Sequence, residues 1–269
     1  MDNDDRPVGK VLSRREVLAL FGTAGAALLV ACAPKELVAA TAVAEAPTAT
    51  GVEAEVVGVT PAAGSATVVR APVCVVRPEL TEGPYFVDEM LNRSDIRSDP
   101  SDGTVRDGLL LELVFLVSKL SGDGCTPLAG AAVDVWHCDA QGVYSDVADP
   151  GSNTVGKKFL RGYQVTDANG EARFTTIYPG WYQGRTVHIH FKIRGVTEAG
   201  AGYEFTSQLF FDDAVSDLVY QQAAYAGKGE RAVRNADDGI FRQSGNMLML
   251  DVHETDSGYS ATFDIGLRL

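Results

Sequence analysis

Residues 187–193 alternate strictly, with Val187, Ile189, Phe191 and Ile193 on one side and His188, His190 and Lys192 on the other. Period 2 over seven residues predicts a strand with one apolar and one polar face. Upstream, residues 109–117 are apolar at nearly every position and read as a central strand buried on both faces. Residues 132–138 alternate again, setting Val133, Val135 and His137 opposite Asp134, Trp136 and Cys138. Two further alternating runs, 159–166 and 171–178, are joined by Asp167-Ala168-Asn169-Gly170, which predicts a hairpin. Residues 204–211, 247–253 and 259–267 complete the strands, and residues from about 216 to 225 form the one short helix expected. About eight short strands separated by turn signals predict an all-β fold, a β-sandwich.

The chain ahead of these strands has a different character. Ser13-Arg14-Arg15-Glu16 precedes a mildly apolar run, 17–31, that is too short to span a bilayer and fits the apolar core of a signal segment. The paired arginines resemble a twin-arginine export signal, a route that suits a protein loaded with its cofactor before export. Leu29-Val30-Ala31-Cys32 resembles a lipobox, so a signal or a lipid anchor at Cys32 is the only membrane connection expected. Residues 33–73 are rich in Ala, Val, Thr, Glu and Pro and read as a flexible linker. The domain plan is therefore an export signal over 1–32, a linker over 33–73 and a folded domain over 74–269, with the protein at the cell surface or otherwise outside the cytoplasm.

Composition adds two constraints. A formal charge of -13 over 269 residues argues against nucleic acid as a partner, because phosphates would be repelled over most of the surface. Four cysteines, Cys32, Cys74, Cys125 and Cys138, are too few for a disulfide scaffold but allow one pair in an exported protein. Cys125 and Cys138, flanking the strand that leads to Tyr144, are the pair expected, with Cys74 as the substitute for either.

Chemistry concentrates on the polar face of residues 187–193. His188 and His190 project from the same side of a strand and have the spacing of a chelate, but two imidazoles alone hold a metal weakly. Three sources of further ligands compete. Tyr144 and Tyr182 offer phenolates, which suit a hard, highly charged ion such as ferric iron. His137 and Asp139 with His253 offer the two-histidine, one-carboxylate pattern of Fe(II) oxygenases. Cys138 offers a zinc thiolate, although no second cysteine accompanies it.

The ordered set Thr81-x-Gly83-Pro84-Tyr85, Asp134-x-Trp136-His137-x-Asp139-x-x-Gly142-x-Tyr144, Arg161-Gly162, Thr166-Asp167-x-x-Gly170, Pro179-Gly180-x-Tyr182 and Arg185-x-x-His188-x-His190-Phe191 resembles the intradiol ring-cleavage dioxygenases, the family of protocatechuate 3,4-dioxygenase and catechol 1,2-dioxygenase. The resemblance covers residues from about 74 to 211. It implies a non-haem Fe(III) held by Tyr144, Tyr182, His188 and His190, with Tyr182 and His190 as the axial pair. It also implies Arg185 as the catalytic arginine, Gln208 as a residue contacting it, and Gly83 and Pro84 as a wall of the substrate pocket. The substrates implied are a catechol-type aromatic and O2, and the product a muconate-type dicarboxylate.

Three departures from the family pattern are visible. Only five residues separate Tyr182 from His188, so a shorter and more open pocket wall is expected there. Tyr178 lies close enough to Tyr182 to compete for the metal. The helical N-terminal region through which catechol dioxygenases pair is replaced by the signal and linker, which leaves the oligomeric state open. The rival reading is a non-catalytic surface β-sandwich lipoprotein that binds an aromatic or cell-wall ligand.

Overall fold

Eleven strands and three short α-helices are found among the described residues of the computed structural model, which are 75–122, 124–149 and 152–269. The expected export signal, the lipobox at Cys32, the linker and Cys74 lie outside the described residues. The first sheet is built on β1 (Leu110–Ser121), which runs parallel to β11 (Gly258–Leu267). Its other edge pairs antiparallel with β7 (Glu171–Ile177) and then with β2 (Gly124–Pro127), and β10 (Val252–Thr255) flanks β11. The second sheet is antiparallel in the order β6 (Arg161–Val165), β3 (Ala132–Trp136), β8 (His188–Val196) and β9 (Gly202–Phe210). A two-stranded ladder of β4 (Ala148–Asp149) and β5 (Ser152–Asn153) stands apart from both.

The sandwich is held by the apolar faces of the two sheets. Phe191 of β8 packs its ring 5.3 Å from Phe115 of β1 and 5.6 Å from Phe263 of β11, and Phe115 also meets Phe174 of β7. Leu113, Val133, Val135, Ile189 and Ile193 fill the space around them and are fully buried. Each such side chain contributes roughly 1.5–3 kcal/mol by leaving water.

Several local expectations change. β1 is central but alternates, with Leu111, Leu113, Phe115 and Val117 buried and Glu112 exposed, so only one of its faces is fully covered. The turn at residues 167–170 forms as expected, with the Gly170 amide donating to Asp167 O. The strands it joins nevertheless part, β6 pairing with β3 and β7 with β1, so the turn carries the chain from one sheet to the other. The single helix expected over 216–225 is broken into α1 (Asp213–Val219), capped by Asp212, and α2 (Ala223–Ala226), and a third helix, α3 (Phe241–Ser244), follows. Met247 lies in a 3-10 turn, Gly245–Leu248, and not in a strand.

The expected Cys125–Cys138 disulfide is absent. Cys138 is a buried free thiol beyond the end of β3, within an aromatic cluster that includes Trp136 and Tyr144. Cys125 sits on β2 of the other sheet and is disulfide-bonded, but not to Cys138. Proximity along the chain misled here because β2 and β3 belong to different sheets.

Candidate metal centre and active site

β8 is the third strand of its four-stranded sheet, so its polar residues are covered by neighbours and not by water. His190 lies abreast of Trp136 on β3 and Gln208 on β9. Its imidazole stacks on the Trp136 indole at 5.0 Å with an interplanar angle of 9°. His188, one pleat away on the same face, donates from Nδ1 to Thr186 O at 2.7 Å. That bond fixes the tautomer and leaves the His188 Nε2 lone pair pointing into the cluster.

Two loops deliver the tyrosines. After β3 the chain turns through Asp139, whose Oδ1 accepts from the Gln141 and Val143 amides, and this turn presents Tyr144. The 179–182 loop delivers Tyr182 and packs directly on that turn, the Gly180 amide donating to Asp139 O at 3.1 Å. Both contact positions are glycine because neither tolerates a Cβ. At Gly180 it would lie 2.4 Å from Asp139 O, and at Gly142, with φ +78°, it would lie 2.2 Å from Trp181 O. Arg161 then clamps the result: it is buried, and its guanidinium donates to Ser145 O and to Tyr85 O.

Four side-chain atoms converge as a consequence. His188 Nε2 lies 3.1 Å from His190 Nε2, 3.1 Å from Tyr182 Oη and 3.5 Å from Tyr144 Oη. Burial, reinforced by Arg185, pushes the His188 pKa down to about 3, and burial with His188 and Arg185 holds His190 well below its usual value. Both imidazoles are therefore neutral. Burial raises Tyr144 well above the usual phenol range, with Tyr182 beside it adding to the shift, and Tyr182 moves in the same direction for the same first reason. His190 Nδ1 and Trp136 Nε1 are buried without hydrogen-bond partners. Neutral nitrogens and two phenol oxygens aimed at one dry point form a donor set that fits a hard cation, whose charge would displace the phenol protons.

Arg185 approaches the same point. Its Nη1 is 3.4 Å from His188 Nε2, while Nη2 donates to Gln208 Oε1 at 2.7 Å and Nε to Asp238 Oδ2 at 2.8 Å. Gln208 in turn donates to Thr81 O at 2.7 Å, tying down the segment that carries Gly83 and Pro84. Gly83 crosses the His190 ring so closely that a Cβ would sit 3.1 Å from Cε1. Pro84 is exposed beside it. Tyr85 stacks on Tyr144 at 4.4 Å and meets Tyr182 edge-on at 6.4 Å, closing one side of the cluster. Gln183 and Gly184, in the short connection between Tyr182 and His188, are exposed.

The family model described as Dioxygenase matches residues 81–252, which takes in every residue of this cluster. The protocatechuate 3,4-dioxygenase beta chain of Burkholderia cepacia is 30% identical over 179 residues, covering 63% of this chain and 71% of that one. The chain belongs to the intradiol ring-cleavage dioxygenases. Among solved structures, an intradiol ring-cleavage dioxygenase from Tetranychus urticae matches with a TM-score of 0.60 at 30% identity, over 72% of this chain and 94% of that one. The dioxygenase domain of a dioxygenase carbohydrate-binding fusion from Streptomyces sp. SirexAA-E matches with a TM-score of 0.51 at 28% identity, over 72% and 99%. The chain spans only 36% and 51% of the length of a chlorocatechol and a catechol 1,2-dioxygenase that it also resembles. This family generally uses non-haem iron.

Within this dioxygenase the competing ligand sets come apart. His137 is buried, with Nδ1 donating to Cys138 O and Nε2 accepting from Thr176 Oγ1, so both ring nitrogens are occupied. Asp139 serves its turn and faces Arg106, and His253 is exposed on β10. The Cys138 thiol donates to Gly180 O, and burial pushes its pKa up to about 12. No group of three or more His, Cys, Asp or Glu side chains among the described residues is arranged to hold a metal ion. Tyr178 turns into the core, where its hydroxyl bonds Ser216 Oγ at 2.7 Å, so it does not compete with Tyr182.

The sequence pattern did not single out four of the residues that build the cluster. Tyr85 stood in a motif without a role, Arg161 likewise, and Asn235 and Asp238 had no signal beyond a polar turn. Asp238 Oδ2 also accepts from the Thr186 amide, and Asn235 Oδ1 accepts from Thr186 Oγ1 at 2.6 Å. Burial would raise the Asp238 carboxyl, but bonds from the Phe241 and Thr186 amides and from Arg185 reverse that and lower it.

Proposed function

We propose that this chain is a non-haem Fe(III) intradiol dioxygenase that inserts both atoms of O2 between the two hydroxylated carbons of a catechol-type aromatic. The observation that carries the reading is the convergence of Tyr144 Oη, Tyr182 Oη, His188 Nε2 and His190 Nε2 beside the Arg185 guanidinium. These four residues would hold the ion. When bound, ferric iron supplies Lewis acidity toward the substrate oxygens and a one-electron acceptor that opens the catecholate ring to dioxygen.

The chain's own residues do the rest. Tyr182, less buried than Tyr144, would be a phenolate once the ion displaces its proton, and it is the oxygen placed to take that proton back from an arriving catechol hydroxyl. Arg185 Nη1 presents a fixed cationic donor to the negative charge that develops on ring and oxygen as the bond between the hydroxylated carbons breaks. Gln208 holds that guanidinium, and Gly83 with Pro84 forms one wall over His190. Trp136, Tyr85 and Tyr144 keep water from the metal side. The stoichiometry is closed, since one catechol and one O2 give one dicarboxylic acid with no external reductant.

We also infer that the protein works outside the cytoplasm, reached by the segment over residues 1–32 and anchored through Cys32. The disulfide at Cys125 supports this, because such bonds persist in oxidising compartments.

Oxygen uptake by the iron-loaded protein across simple and substituted catechols, with product identification, tests the activity. A muconate-type dicarboxylate is expected. A yellow semialdehyde would mean cleavage outside the diol, and retained aromatic binding without oxygen consumption would point to a non-catalytic binding protein.

A further inference from the structure

Arg185 has three guanidinium nitrogens, and two of them are committed to buried acceptors before any substrate arrives. Nε is given to Asp238 and Nη2 to Gln208, which leaves Nη1 as the nitrogen facing the His188 side of the cluster. A planar guanidinium held on two edges has no remaining freedom to rotate, so the direction of Nη1 is set by the two acceptors. Gln208 comes from β9, next to β8. Asp238 comes from a different place, the irregular segment that follows the 3-10 turn Asn235–Asp237 near the C-terminal end of the domain.

That segment is itself fixed to the site strand. The Asp238 side chain is fully buried in its ion pair with Arg185. Its Oδ2 accepts from both Arg185 Nε and the Thr186 amide, each at 2.8 Å, and Oδ1 accepts from the Ile240 and Phe241 amides, also at 2.8 Å. Asn235 adds a second tie, accepting from Thr186 Oγ1 and donating from Nδ2 to Phe211 O at 2.8 Å. Four donors on one buried carboxylate satisfy its acceptor capacity, so it costs little to bury and it keeps its charge.

We propose that Asp238 is a positioning residue of the dioxygenase, aiming Arg185 Nη1 at the reacting substrate, with Asn235 as its brace on Thr186. The proposal rests on the ferric dioxygenase reading for its chemistry but not for its geometry. Asp238→Asn is the informative change, because the amide keeps one oxygen for two of the four donors while its NH2 must face the other two. The guanidinium then loses a charge-assisted acceptor, and Nη1 swings out of line. Misplacement of a catalytic group by about 1 Å costs on the order of 100-fold.

The test pairs kinetics with a direct view of the arginine in the full chain. In Asp238→Asn, kcat with catechol should fall by roughly 10- to 100-fold with KM changed less than about threefold, because Arg185 acts on charge that develops in the reaction. Iron content and visible colour should match the wild type. In an Arg185→Ala background the same change should cost less than about threefold, since its route of action is gone. By NMR of the iron-free full chain, the Arg185 Nε–H signal should be protected from solvent exchange in the wild type and markedly less protected in the variant, where at best a neutral acceptor remains. Thr186→Val, which cuts the Asn235 brace alone, should lower kcat by roughly three- to tenfold, the size of one neutral hydrogen bond, and serves if Asp238→Asn does not fold. An equal loss with and without Arg185, or an unchanged Arg185 signal, would overturn the proposal. Failure of the wild type to consume oxygen while the Arg185 signal still depends on Asp238 would instead remove the dioxygenase reading and keep the clamp.

Discussion

The two faces of β8 are equally buried and do opposite things. On the inner face Ile189, Phe191 and Ile193 are 0% exposed, and on the outer face His188, His190 and Lys192 are 2, 1 and 5% exposed. The inner face needs nothing but shape, because carbon against carbon at close packing leaves no group unsatisfied. The outer face is held by hydrogen bonds and ion pairs: His188 to Thr186, Lys192 to Glu82 and Glu204, and Arg185 to Asp238 and Gln208. It also leaves His190 Nδ1 and Trp136 Nε1 without partners. Burial alone therefore does not separate core from site in this molecule. What separates them is the convergence of two imidazoles and two phenols on one dry point.

Damage to the inner face should appear as lost stability, and damage to the His188 and His190 end of the outer face as lost chemistry. Phe191→Ala should destabilise the chain by about 3–5 kcal/mol through the cavity left among Phe115 and Phe263. Chemical denaturation measures this, and a loss under 1 kcal/mol would mean the two sheets are not packed through that ring.

Acid should act next. His137 is buried and neutral, its pKa pushed down to about 4 by burial, with the Arg161 charge adding to the shift. Its unfolded pKa lies near ~6.5, so between those values the unfolded chain binds the extra proton and the folded chain does not. Stability should fall as the pH drops from about 6.5 to 4 and level off below, by up to about 3 kcal/mol from this group. Denaturation of His137→Gln across that window should show a shallower acid limb than the wild type. An identical limb would mean that His137 does not set the acid sensitivity.

Gly142→Ala sharpens the boundary between the faces, since it strains one loop contact and leaves both sheets alone. The strained φ and the clash with Trp181 O should cost on the order of 1–3 kcal/mol. It should also disturb the Tyr144 and Tyr182 pair, visible as a changed iron colour beyond what the stability loss explains. Lys192→Met should have the smallest effect. Lys192 is itself buried, but Met keeps its apolar stem and the carboxylates left behind, Glu82 and Glu204, reach water, so the change should cost no more than about 1 kcal/mol and leave oxygen uptake intact.

Much of this was readable from the chain. The alternation at residues 187–193 identified β8 and assigned its faces correctly, because a two-residue period survives any neighbour the strand acquires. The surroundings of the polar face were not legible. The pattern of His-x-His-x-Lys is the same whether water or protein covers it, and coverage by β3, β9 and the 81–86 segment is a tertiary fact. The turn at 167–170 shows the same limit. Its local chemistry is identical whether the flanking strands pair or part, and only the competing partners β1 and β3 decide. The cysteine pairing failed because closeness in sequence says nothing about sheet membership. Asp238 was invisible for a stronger reason. It reaches Arg185 across 53 residues, and its local pattern is that of an ordinary polar turn.

The outer face of β8, with Tyr144 and Tyr182, is proposed as a ferric centre. Its most direct test is the visible absorption of the purified, iron-loaded protein beside Tyr144→Phe and Tyr182→Phe. A red-brown protein is expected, with phenolate-to-Fe(III) charge transfer altered separately by each substitution. Iron-loaded protein that is colourless, or whose spectrum ignores both changes, would contradict it.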